Sequence, residues 1–199
     1  MNIKDVIRVN SLWRKMNSYL VAQVMEGYHK DSGSALELGP FSGGISLELA
    51  RLYPAFKITI ADESPEVVKY LEKKIQASGL AQRIAVKKTD LNNLAFNDCQ
   101  FDLVIFRGAF FFLGKKENLL QKVFRLLKEG GFALVGGGHG KGVPQQLIDE
   151  VADELHRLNK KLGGKWLSIR ELEDIVARSQ LTDNCKIVEE GGVWLNIRK

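Results

Sequence analysis

The residues of this chain whose types and spacing could do chemistry begin with the turn "ELGPFSGG", residues 37–44, which follows the small and apolar Ala35 and Leu36. A glycine-bearing turn from a buried strand into a helix lets the backbone approach a ligand closely, and in α/β folds it receives adenine-containing cofactors. A nicotinamide or flavin dinucleotide needs G-x-G-x-x-G, with the middle glycine letting the backbone touch the pyrophosphate. Aligned from Gly39, that middle position is Phe41 and the third is Gly44. A Cβ and an aromatic ring there obstruct a diphosphate, so the turn suits a nucleoside without phosphates.

Carboxylates downstream agree with this. In "ITIADESPE" Asp62 ends an apolar run about twenty residues after the turn, where an acid can accept hydrogen bonds from both ribose hydroxyls, and Glu63 could substitute for it. In "KKTDLNNL" Asp90 can accept from an adenine amino group, with Leu91 offering an apolar edge and an adjacent backbone amide. Arg107, after "FDLVIF", is a candidate for binding a carboxylate or the cofactor itself. His139 lies in "VGGGHGKG" and could act as a base or a substrate ligand. That stretch is no phosphate loop: Val135 stands where its first glycine belongs, and Gly142 where a magnesium-binding Ser or Thr belongs. His29 and His156 lie in or beside helical stretches and are weaker candidates. Cys99 and Cys185 read as packing thiols, and no metal site is expected.

The elements that position these residues alternate. Residues 3–28 place Ile7, Leu12, Trp13, Met16, Leu20 and Val24 near the spacing of one or two amphipathic helices. Strand patterns follow in "ALEL", "FKITIA", "RIAVKK", "FDLVIF" and "FALVG". Helices are expected from Ile45 to Leu52, from Pro65 to Ala77 with Ser64 as N-cap, and from about Glu117 to Leu127 before a "KEGG" stop. A further helix spans Pro144 to Leu162, and Ser168 with Glu171 forms a capping-box signature that opens another. "CKIVEE-GG-VWLNIRK" reads as a closing hairpin across a two-glycine turn. Apolar strands in alternation with helices mean a parallel sheet covered on both faces, so the expected class is α/β, doubly wound.

In this order, the motifs resemble the class I S-adenosylmethionine-dependent methyltransferases, from about Ala35 to the C-terminus. "LELGPFSG" is similar to the family's first motif, with Glu37 for its acid and Gly39 and Gly43 for two of its glycines. Asp62 within "DESPEVV" matches the acid after strand two, and Asp90 the acid on the adenine side. "FDLVIFRGAF" resembles strand four, and "RLLKEGGFALVGG" the segment through strand five. The resemblance implies a seven-stranded, mostly parallel Rossmann-like sheet with S-adenosyl-L-methionine as cofactor. It also implies cofactor contacts from Glu37, Gly39, Phe41, Gly43, Asp62, Glu63, Asp90, Leu91 and Arg107. A sulfonium methyl is already activated, so positioning can carry catalysis and a dedicated base is needed only for a protonated nucleophile. Family members that methylate an exocyclic base nitrogen carry an Asn/Asp-Pro-Pro-aromatic stretch after strand four. This chain has Arg107-Gly108-Ala109-Phe110 there, which argues against adenine N6. The run "FFFL", 110–113, packs a loop or lines an aromatic pocket. By resemblance, residues 1–32 form a helical cap and 143–166 a helical insertion in lid position, making Tyr19, Tyr28 and Trp166 pocket candidates.

The expectation is one domain of 199 residues, because 45% hydrophobic and 27% charged residues are ordinary for a packed globular chain and no linker or repeat interrupts it. No apolar run approaches the roughly 18 residues of a membrane span, and "MNIKDVIRVNSLWRK" lacks the apolar core of a secretion signal, so a cytoplasmic setting is expected. The net charge of +5 admits a nucleic-acid partner, but the basic residues are dispersed in pairs such as Lys73-Lys74 and Lys160-Lys161. The expected function is methyl transfer to a small molecule. The alternatives are an RNA or protein methyltransferase, a non-catalytic nucleoside-binding regulatory protein and, more remotely, a polyamine synthase, for which an acidic cluster is lacking.

Overall fold

The structure is a computed structural model that describes residues 2–40, 42–91, 93–113, 118–164 and 167–199. Phe41, Trp166 and the expected start of a helix at Glu117 lie outside the described residues. The amphipathic start resolves into α1 (Ile3–Trp13), a single 3-10 turn (Arg14–Met16) and α2 (Asn17–Tyr28). Then follow β1 (Gly33–Leu38), α3 (Gly44–Leu52), β2 (Phe56–Asp62), α4 (Pro65–Ala77), β3 (Ile84–Lys88) and β4 (Phe101–Arg107). The second half is α5 (Leu119–Leu126), β5 (Leu127–Gly138), α6 (Gln145–Lys161), α7 (Ile169–Arg178), β6 (Cys185–Val188) and β7 (Gly192–Arg198).

The seven strands form one sheet in the order β3-β2-β1-β4-β5-β7-β6, with β7 antiparallel to both its neighbours and the remaining pairings parallel. The α/β, doubly wound expectation and the antiparallel end of the sheet both hold. Because side chains alternate across a strand, each central strand feeds two cores. Leu103, Ile105 and Leu134 pack with α1 to α4 and α6 on one face, while Val104, Phe106 and Val135 pack with α5 and α7 on the other. The winding reverses between β1 and β4, which pair directly, so the crevice at their carboxyl ends is where such a sheet binds ligands.

Local signals act as the sequence implied. The Ser64 hydroxyl accepts from the Val67 amide at 3.3 Å, capping α4. Ser168 and Glu171 make the reciprocal capping box of α7. One boundary differs: "KEGG" does not separate α5 from the next strand but lies within β5. The pairing to β4 jumps from Phe101↔Leu127 to Leu103↔Phe132, so the segment bulges outward. Gly130 makes this possible with φ of +71°, a conformation that side-chain-bearing residues resist, and its amide bonds the Lys199 carbonyl. Cys99 is exposed rather than a packing thiol, because it sits in the loop before β4 with positive φ; Cys185 is half-buried. Among the described residues, no helix is long and apolar enough to cross a membrane, and no group of His, Cys, Asp or Glu has the makings of a metal site.

The α7 cap is exposed, and neither Ser168 nor Glu171 lines a cavity of the crevice at the β1 and β4 ends. Ser168→Ala is expected to lower stability by about 1 kcal/mol in urea unfolding, with the affinity for any ligand of that crevice unchanged.

Candidate active site

At the end of β1 the chain does not leave the sheet at once. The Gly39 amide donates to the Ala61 carbonyl at 2.8 Å, carrying the β1–β2 pairing one step past the strand. This presses the Gly39 backbone against Asp62, and a Cβ on Gly39 would overlap the Asp62 Oδ2. Gly43 opens α3 with φ of +97°, and a Cβ there would overlap Leu71 of α4. Both glycines are therefore required by the protein's own packing, whatever the turn binds.

Glu37 lies behind the turn, 1% exposed, where its Oε2 accepts from the Ser46 amide of α3 at 2.9 Å. Its Oε1 makes no hydrogen bond of ordinary geometry among the described residues. Burial pushes its carboxyl up from the usual range, against the pull of Ser46 and the nearby Arg107 charge.

Asp62 is the carboxylate at the carboxyl end of β2. Its Oδ1 accepts from the Ser64 amide at 2.8 Å and its Oδ2 from the Ser42 hydroxyl at 3.4 Å. A carboxylate has about four acceptor positions, so capacity is left for a ligand. Burial raises its pKa to about 6. Asp62, Glu63, Leu91 and Gly39 share a cavity of about 140 Å³, closed on one side by Val6 of α1 and Phe112. Glu63 also ties the walls of this cavity together. Its Oε1 accepts from the Leu91 amide at 2.9 Å, so the amide expected to be available beside Leu91 is already used, and Glu63 fastens the β3 loop. Leu91 itself is buried against the cavity. Asp90 stands exposed on the adjoining turn, outside that lining.

A larger cavity of about 530 Å³ opens beside it at the ends of β4 and β5, under α6. It falls within the roughly 300–1,000 Å³ range of small-molecule pockets. Its walls are largely apolar, with Trp13 from α1, Phe110 and Phe111 from the loop after β4, and Ile148 and Leu155 from α6. The three adjacent phenylalanines diverge: Phe110 and Phe111 face this cavity, while Phe112 lines the smaller one and packs on Phe106 at 6.0 Å. The "FFF" run is thus the partition between two compartments.

Arg107 and His139 both belong to the larger cavity. Arg107 is only 3% exposed. Its Nη2 donates to Asn10 Oδ1 at 3.3 Å and its guanidinium lies 4.8 Å from the centre of the Trp13 ring. Burial lowers its pKa to about 10, with Glu37 opposing, so it carries its charge at neutral pH. His139 packs its ring 5.4 Å from Trp13, and burial pushes its pKa below the ordinary value, leaving a neutral imidazole at neutral pH. His156 also lines the cavity from α6.

Other expectations fall away. Tyr28 lies at the amino end of the sheet, where its hydroxyl donates to the Ser32 carbonyl and its ring packs on Phe56, so it is no pocket residue. His29 closes α2 at that same end. Tyr19 packs beside Gly140 and is not in either lining. The residue missed was Asn10, which joins Arg107 to the glycine turn by donating from Nδ2 to the Ser42 carbonyl at 3.4 Å. Its signal was present: a polar residue among Val6, Val9 and Trp13 on the buried face of α1.

Residues 35–131 match the family model described as a methyltransferase domain. The matched segment runs from β1 into β5, so the glycine turn, Asp62, Asp90 and Arg107 all lie within it. It is similar to the malonyl-[acyl-carrier protein] O-methyltransferase of Priestia megaterium, 24% identical over 166 residues, covering 81% of this chain and 58% of that one. It is also similar to the dimethylglycine N-methyltransferase of Parasynechococcus marenigrum, 31% identical over 127 residues, covering 62% and 44%. The chain thus spans about half the length of these curated relatives. A solved structure from Methanococcus maripaludis, described as an S-adenosyl-L-methionine-dependent methyltransferase, shares the fold with a TM-score of 0.84 over 98% of this chain and 91% of that one, at 23% identity. These likenesses cover the sheet order and the glycine turn together.

The raised Asp62 pKa has a stability consequence. Folding favours the protonated carboxyl, so the associated stability is fully present below the unfolded pKa of 3.8 and is lost as pH rises through about 6. Asp62→Asn is expected to stabilise the ligand-free protein at pH 8 by about 1–3 kcal/mol, and by less at pH 5, in paired urea titrations.

Proposed function

We propose that this chain transfers the methyl group of S-adenosylmethionine to a small-molecule acceptor held in the larger cavity. The observation that carries the reading is the pair of adjoining compartments at the switch point, one floored by a buried carboxylate and the other mostly apolar. When bound, the cofactor supplies an electrophilic methyl, and the nucleophile's lone pair displaces the neutral thioether.

In this reading the remaining acceptor positions of Asp62 take the ribose hydroxyls, and Leu91 offers the adenine its apolar edge with Asp90 at the rim. Glu63 works at one remove by fixing Leu91. Gly39 and Gly43 flank the amino-acid end, with the buried Glu37 behind them, and Phe41 keeps its place among the expected cofactor contacts. The phenylalanine partition sets the boundary across which donor and acceptor meet, and this alignment is the main catalytic contribution. The neutral imidazole of His139 is placed to take a proton from an acceptor that carries one. A cytoplasmic setting, a single methyltransferase domain with 1–32 as cap and 143–166 as lid, and a small-molecule partner belong to the same proposal.

Calorimetric titration with S-adenosylmethionine, S-adenosylhomocysteine and NAD tests it. Both sulfur nucleosides are expected to bind and NAD to bind weakly or not at all; the reverse order would sink the reading. Asp62→Ala is expected to weaken S-adenosylhomocysteine by about 1.5–3 kcal/mol, the scale of hydrogen bonds to a charged group. Since the hydroxyls favour the ionised carboxylate, wild-type affinity should strengthen as pH rises through about 6, and Asp62→Asn should lose that dependence.

A further inference from the structure

We propose that Arg107, set by Asn10 and Trp13, makes the larger cavity select an acceptor with an apolar body and one carboxylate group. This inference rests on the methyltransferase reading and adds the acceptor's chemical class.

Three observations carry it. The first is location: Arg107 lines the 530 Å³ cavity with Trp13 and Phe110, and is absent from the lining around Asp62. The second is preparation. Asn10 holds one arm of the guanidinium at 3.3 Å and the Trp13 ring lies 4.8 Å from it, so the planar fork is oriented before a ligand arrives. A guanidinium makes a charge-assisted contact with a carboxylate, and one whose orientation is already set loses little freedom on binding.

The third is the charge balance of the walls. Among the described lining residues, Lys160 and Asp153 both lie exposed on α6 and offset one another, His139 is neutral, and the buried charge of Arg107 remains. The acid nearest in effect to Arg107 is Glu37, which sits behind the glycine turn and is itself pushed toward neutrality by burial. A cation already out of water gains most from an anion brought into the same apolar space. The Trp13, Phe110, Phe111 and Leu155 walls supply the complement for the rest of the acceptor.

The probe set is benzoate, phenylacetate, hexanoate and octanoate, each paired with its neutral primary amide and titrated into the protein saturated with S-adenosylhomocysteine. At least one carboxylate is expected to bind about tenfold or more tightly than its amide, the scale of one well-made charged pair. Arg107→Gln should erase that difference while changing affinity for S-adenosylhomocysteine less than about twofold. Asn10→Ala keeps the charge but releases the fork, and should lose part of the discrimination. If no carboxylate exceeds its amide, or if Asn10→Ala discriminates like wild type, the proposal is overturned. It is also overturned if Arg107→Gln weakens S-adenosylhomocysteine but not methylthioadenosine, because the arginine then serves the cofactor's amino-acid end. Failure of wild type to bind S-adenosylhomocysteine at all would instead remove the methyltransferase reading itself.

Discussion

The contact on which this site depends is the approach of the Gly39 backbone to the Asp62 carboxylate. It arises because the Gly39 amide keeps to the β1–β2 ladder one residue beyond the end of β1. That hydrogen bond brings the turn over the end of β2, where only hydrogen at Cα leaves room for Oδ2. The Ser42 hydroxyl and the Ser64 amide then reach the two carboxylate oxygens from either side. Turn, strand end and the cap of α4 are so fixed by one buried acid, and the small cavity is the space that this arrangement leaves.

A second layer of order comes from α1. Its apolar face buries Val6, Val9 and Trp13, and between them Asn10 touches both the glycine turn and Arg107. Burying an amide and a guanidinium is costly unless both find partners. Their mutual bond and the Trp13 ring offset part of that cost while also fixing the side chain that lines the larger cavity. The polar wall of that cavity is thus built from residues nearly a hundred positions apart.

Much of this was legible in the sequence, for identifiable reasons. The parallel strands announce themselves as near-continuous apolar runs, and the Ser64-Pro65 and Ser168-Glu171 signals fix helix starts because capping depends on local spacing. The Asp62 position followed from strand logic. The role of Glu63 did not, because the hydrogen bond from Leu91 joins two loops 28 residues apart. Nor did the bulge of "KEGG" within β5: two glycines after a helix look like a stop, and only the pairing with β4 shows the strand running through them. Tyr28 failed as a pocket candidate because helical spacing gives the face of a residue but not which end of the sheet it reaches. Asn10 could be noticed as a polar residue in an apolar stripe, but its two partners could not be read from α1 alone.

The two helices over the site are joined in a different manner from the rest of the molecule. Between α1 and α6 run ion pairs from Arg8 to Glu154 at 2.6 Å, Lys15 to Glu150 at 2.8 Å and Lys161 to Asp5 at 2.8 Å. Of the seventeen residues of α6, only Val151 and Leu155 are buried. Exposed pairs contribute about 0–1 kcal/mol each and are screened by salt over about 8–10 Å. Leu147 and Leu158 of α6 are partly buried against the same core, so apolar contact and ion pairs share this seam. Raising ionic strength therefore weakens the polar part of this seam, while the glycine turn beneath is held by the close approach of Gly39 to Asp62.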